Sequence, residues 1–173
     1  QAAGVSCLVR DSEHIEKAFD LGGMPARNGV TAALMVANGC TGVEDVFSGE
    51  RNFFFAYAPD PQPQEMLREL GSRYEIMYTN IKKWSVGSSI QAPLDSLLEL
   101  IRSEGVRAKD VEKVVIRVGE RGAKIANNRA MPAINMQHLI SVMLHDGGLT
   151  FASAHDAVRM KDAAIKAIKK RVA

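Results

Sequence analysis

Two stretches of this chain set cations beside backbone that can hold an anion. The first, KAFDLGGMPARNGVTAALMVANGCTG over residues 17–42, places Lys17 and Arg27 on either side of a glycine pair and a Met24-Pro25 helix start. Proline suits the first helical position because its missing N–H would be unpaired there, and Gly22-Gly23 lets the preceding backbone turn tightly. The free N–H groups and positive end of such a helix would face an anion that Lys17 or Arg27 can neutralise. The same residues also read as a plain helix packed through Ala32, Ala33, Val36 and Ala37.

The second stretch is IKKWSVGSSIQAPLD, residues 81–95. Lys82 and Lys83 stand beside Trp84, and small residues follow up to a helix start. A loop of this kind can grip a carboxylate with lysine and backbone N–H donors. The alternative is a solvated lysine pair next to a packed tryptophan. A third stretch, residues 127–156, carries His138 and the pairs His145-Asp146 and His155-Asp156. An imidazole whose ordinary pKa is about 6.5 can move a proton near neutral pH, whereas a core histidine bonded to backbone is the other reading of His138. The His-Asp pairs sit at expected helix ends, where aspartate caps and turns, and no close i, i+4 histidine pair forms. No metal is expected. Residues 119–124, GERGAK, lack the spacing of a phosphate loop.

The elements that must position these groups are mostly helical. Asp11 or Ser12 can cap a short helix with Ile15, Ala18 and Phe19 on one face, and a second helix runs from about 25 to 38. Thr41 and Glu44 form a capping box that predicts a third helix ending near Ser48-Gly49. Aromatic residues cluster at 53–57, and the proline-rich APDPQPQ that follows marks a boundary between residues 1–57 and 58–173. Beyond it the pattern predicts a short helix over 64–70 and a strand over 74–78. Pro93 opens an amphipathic helix with Leu94, Leu97, Leu98 and Ile101 on one face and Gly105 as its stop. VEKVVIRV, residues 111–118, is the clearest strand, residues 119–132 show no period, and a helix returns over 133–144. Strand, helix, strand predicts an α+β body whose leucine face covers a sheet containing Val114, Ile116 and Val118.

The first stretch also resembles the signature of the MmgE/PrpD family, which includes 2-methylcitrate dehydratase. The resemblance rests on Lys17, Phe19, Gly22, Arg27-Asn28-Gly29, Ala32-Ala33, Gly39 and Thr41-Gly42, with Asp20 at the usual histidine. At the second stretch Lys82, Trp84 and Asp95 match the family's lysine, aromatic and helical aspartate, while Gly87 and Gln91 stand where relatives often carry histidine. His138 aligns with a polar position facing the site. The resemblance implies a cofactor-free lyase or isomerase that abstracts a proton next to a carboxylate of a small di- or tricarboxylic acid. It implies Lys17 and His138 as catalytic residues, Arg27, Lys82, Lys83 and Gln91 as substrate-binding residues, and a homodimer of the full-length protein. It further implies that residues 1–57 close a helical domain and that residues 58–173 form an α+β lid.

Composition bounds these expectations. A net charge of +2, from 22 basic against 20 acidic residues, gives no electrostatic reason to expect nucleic acid or membrane as a partner. Cys7 and Cys40 do not make a disulfide framework, which favours a reducing, cytoplasmic compartment. The opening QAAGVSCLVRDSEH has neither a charged leader nor a long apolar run, and the chain is expected to be part of a longer protein. The rival class is a non-catalytic α+β interaction module.

Overall fold

The computed structural model describes residues 19–173, which fall in two units divided between Asn80 and Ile81. Lys17, Cys7 and the helix expected after Asp11 lie outside the described residues.

In the first unit, helix α1 spans Met24–Ala37 and stops near Gly39, as its proline and glycine predict. Its start differs from the expected cap. A π-helical turn over Phe19–Gly23 leads straight into it, and Gly23 already has helical angles, so helical backbone is under way before Met24. The capping box at Thr41 and Glu44 starts no helix. Instead the Asp45 carboxylate accepts from the N–H groups of Phe47 and Ser48, a local turn that competes with helical pairing. Asn52 caps the short helix α2, Phe53–Tyr57, whose Phe53 and Phe54 pack edge to face and meet Phe47. No described residue of this unit is buried.

The second unit has the core. Helix α3 (Gln91–Glu104), helix α4 (Glu120–Ala126), helix α5 (Met136–Asp146), helix α6 (Phe151–His155) and helix α7 (Ala163–Lys169) follow in order. Helix α5 lies at the centre because it is apolar almost all round: Met136 and every residue from His138 to Leu144 are buried. It packs against α3 through the cluster that holds Leu94, Leu97, Leu139, Ile140 and Met143, and against α7, where Ile165 and Ile168 are buried. Asn135 caps α5 by accepting from the His138 N–H at 2.9 Å, and Gly147 closes it in the left-handed region. Gly105, at φ 66°, ends α3 in the same way. Gly122 lets α4 approach the turn at Ser88–Ile90, since a Cβ there would lie 3.1 Å from the Cβ of Ser89.

The expected α+β class is corrected by this architecture. Among the described residues there is no sheet, and the β pairing present is a single parallel bridge between Val114 and Val172. Residues 111–118 are extended and do alternate, with Val114, Ile116 and Val118 turned toward the helices and Val115 and Arg117 exposed. Among the described residues their backbone partner is only the short run 171–173, which supplies three hydrogen bonds of 2.8–2.9 Å and no further ladder. The expected strand over 74–78 is a 3-10 turn, Glu75–Tyr78, with Ile76 and Met77 exposed. A strand exists only where another strand takes up its N–H and C=O groups; among the described residues no strand does so for 74–78, and for 111–118 only the bridge to 171–173 does. The leucine face of α3 does meet Val114, Ile116 and Val118, as side chains of one extended segment under helices.

Candidate functional site

The lysine loop is built by one side chain of α3. Gln91, half-buried in the first turn, accepts through Oε1 from the N–H groups of Lys83 at 3.1 Å and Trp84 at 3.2 Å. Its Nε2 donates to the carbonyl of Trp84 at 2.9 Å and to that of Val86 at 3.4 Å. Below this fastening, Val86 and Ile90 enter the core with Trp84 packed against them, and the Gly87 N–H donates to the Ala133 carbonyl at 2.9 Å. The loop is therefore anchored at both its polar and its apolar sides.

Its two lysines end up differently. The Lys83 ammonium meets the Asp95 carboxylate at 2.5 Å and lies 4.8 Å from the centre of the Trp84 ring. Lys82 is exposed, and its ammonium has no ion pair or hydrogen bond among the described residues. A shallow cleft of about 400 Å³ opens beside Lys83 and Asp95, lined also by Leu98, Glu99, Arg102 and Ser103.

His138 is inside the helical core, 1% exposed, and its Nε2 is buried without a hydrogen-bond partner. Burial, then the charges of Lys169 and Arg159, pushes its pKa down to about 4, against a smaller opposing pull from Asp156. The imidazole is neutral at pH 7. The His145-Asp146 pair belongs to a surface network in which Arg159 grips Asp146 with two hydrogen bonds, holding its carboxyl below the usual range. His155 stacks on Phe151, and its Nδ1 lies 2.9 Å from the Phe151 carbonyl.

A family model, the MmgE/PrpD C-terminal domain, matches residues 84–173, more than half of the chain. The chain belongs to the MmgE/PrpD family. Among curated proteins nothing matches. The MmgE/PrpD match begins at Trp84, inside the lysine loop, and takes in Gln91, Asp95 and His138; Lys82 and Lys83 come just before it.

Within the 81–173 unit the structure brings Lys83 of the loop together with Gln91 and Asp95 of α3, with Lys82 next to Lys83 in the chain. Arg27 is exposed on α1 of the first unit; its guanidinium lies 3.5 Å from the Asn28 side-chain oxygen, and its carbonyl accepts the Thr31 hydroxyl at 2.8 Å. His138 lines neither the Lys83 cleft nor the two clefts along residues 114–118. Sequence reading did not anticipate the carboxamide cluster of Asn127, Asn128 and Gln137 on the rim of one of those clefts. There the Gln137 side chain receives the Asn128 N–H at 2.9 Å and donates to Asn127 at 2.8 Å. Among the described residues no helix is long and apolar enough to cross a membrane.

Proposed function

We propose that the chain belongs to a cofactor-independent lyase or isomerase of the 2-methylcitrate dehydratase kind, acting on small di- or tricarboxylic acids. In this reading the lysine loop forms part of the wall that binds a substrate carboxylate. The observation that carries it is the loop itself: Lys82 is exposed, its ammonium has no partner among the described residues, and the backbone that follows it, from Lys83 to Val86, is held by Gln91. Proton abstraction next to a carboxylate builds negative charge, and a cation fixed in place stabilises that charge more than one that must be ordered first. Lys17 and Arg27 are the proposed cations of the N-terminal stretch, with Lys17 also the candidate acid. His138 is proposed as a proton carrier in its neutral form. Because the matched family model is the C-terminal domain, turnover is proposed for a protein that also carries the family's remaining parts. A homodimer is proposed from the family resemblance, and a cytoplasmic location from the cysteine usage.

The loop's part of this reading is testable on the chain as it stands. Titration with tricarballylate, followed by amide chemical shifts, should perturb residues 81–87, and Lys82→Met should weaken the binding roughly tenfold, the loss of one charge-assisted contact worth about 1.4 kcal/mol. Shifts scattered over other lysines, or an unchanged affinity in Lys82→Met, would favour a module that binds by other surfaces.

A further inference from the structure

Gln91 spends its whole carboxamide on backbone. Two N–H groups converge on its Oε1 and two carbonyls take its Nε2 hydrogens, so no donor is left for a ligand and one side chain fixes the stretch from Lys83 to Val86. Gln91 also sits on the buried stripe of α3, one turn before Leu94, where an unpaired amide would be costly. Two consequences follow at the lysines. With the Lys83 N–H and the Trp84 N–H and C=O held, the Lys83 ammonium sits over the indole ring, 4.8 Å from its centre, and pairs with Asp95. The residue before it in the chain, Lys82, leaves the fastened segment with its ammonium toward solvent.

Resting on the carboxylate reading above, we infer that Gln91 is a positioning residue rather than a substrate ligand. It sorts the lysine pair into one structural cation, Lys83, and one cation presented to the substrate, Lys82. A side chain that titrates could not do this over the same pH range, because protonation of an imidazole at position 91 would remove the acceptor that Lys83 and Trp84 share. The arrangement favours a ligand with a carboxylate reached by one ammonium over one that needs a two-lysine clamp.

The test uses the whole chain with its lysines reductively dimethylated with ¹³C, which keeps their charge, and tricarballylate as the probe. In the unsubstituted chain the Lys82 methyl signal should move on titration and the Lys83 signal should stay. Gln91→Met should weaken binding about tenfold, release the Lys83 and Trp84 amides to faster hydrogen exchange, and abolish the Lys82 response. Lys113→Met, at an exposed position of the extended segment 111–118, should leave the affinity within about twofold. A merely structural glutamine would shift the melting temperature without uncoupling Lys82 from the probe, and that outcome overturns the positioning role. So does a Lys83 signal that moves as much as that of Lys82. Should the unsubstituted chain fail to bind tricarballylate, the carboxylate reading falls and the inference with it; fast exchange at Lys83 and Trp84 in the unsubstituted chain would instead remove the clamp alone.

Discussion

Leu139→Ala should destabilise the 81–173 unit by ~2 to 5 kcal/mol, the range for a fully buried leucine whose cavity cannot collapse. Leu139 is 0% exposed on the central helix, with neighbours on α3 and in the turn before α5 belonging to the same cluster. Ile90, Leu94 and Ile140 are equally enclosed, so little around the void is free to move into it. Urea unfolding followed by the fluorescence of Trp84, the chain's single tryptophan, reads this unit specifically because Trp84 packs against the same cluster. Leu100→Ala is the control: Leu100 lies on α3 but is half exposed, and its loss should cost well under half as much. A Leu139→Ala variant within 1 kcal/mol of the parent would mean that α5 is not the centre of the unit.

What could be read in advance was set by local rules. Pro25 and Gly39 bracket α1, and the leucine spacing with Gly105 predicts α3 and its buried face, because caps and a 3.6-residue period act within one element. The strands could not be read that way. Residues 111–118 have the alternation of a strand and an extended backbone, but strand identity depends on a partner elsewhere in the chain, and among the described residues only 171–173 come beside them. Helix α4 escaped notice for the opposite reason. It buries Ala126 alone and docks through the absence of a side chain at Gly122, so it has no apolar period to detect. At the site, the lysine loop was visible as composition while its wiring was not. A signal did exist: Gln91 is a polar residue on the Leu94 and Ile101 stripe, and a polar group on a buried stripe must find partners within the chain. Asn135 and Ser141 follow the same logic along α5, where Asn135 holds the cap and the Ser141 hydroxyl donates to the Gln137 carbonyl at 2.7 Å, and His138 is the exception in that buried row, its Nε2 having no partner.

His138 is the member of that row for which burial has a pH consequence. Its folded-state pKa of about 4 lies below the ordinary value of 6.5, so between these two pH values the unfolded chain binds a proton that the folded chain refuses. Stability is then complete above pH 6.5, falls as pH drops toward 4, and loses nothing more to this group below that. At about 1.36 kcal/mol per pH unit the total is roughly 3 kcal/mol. The charges around the imidazole work in the same direction: Lys169 on α7 and Arg159 in the preceding turn both disfavour a second positive charge, and Asp156 offsets them only in part. Asp146 and Asp162 also titrate, but their carboxyls are held below the usual carboxylate value, so the stability they add disappears at more acid pH. His138→Leu separates the two. It places an apolar side chain of similar size where Nε2 now has no partner, so it should leave stability at pH 7.5 unchanged or raised and flatten the curve between pH 6.5 and 4. Denaturant midpoints for parent and variant across that range measure the difference directly. Parallel curves would show that His138 is protonated in the folded chain as readily as in the unfolded one, and would remove the neutral, buried imidazole from any account of proton transfer in this protein.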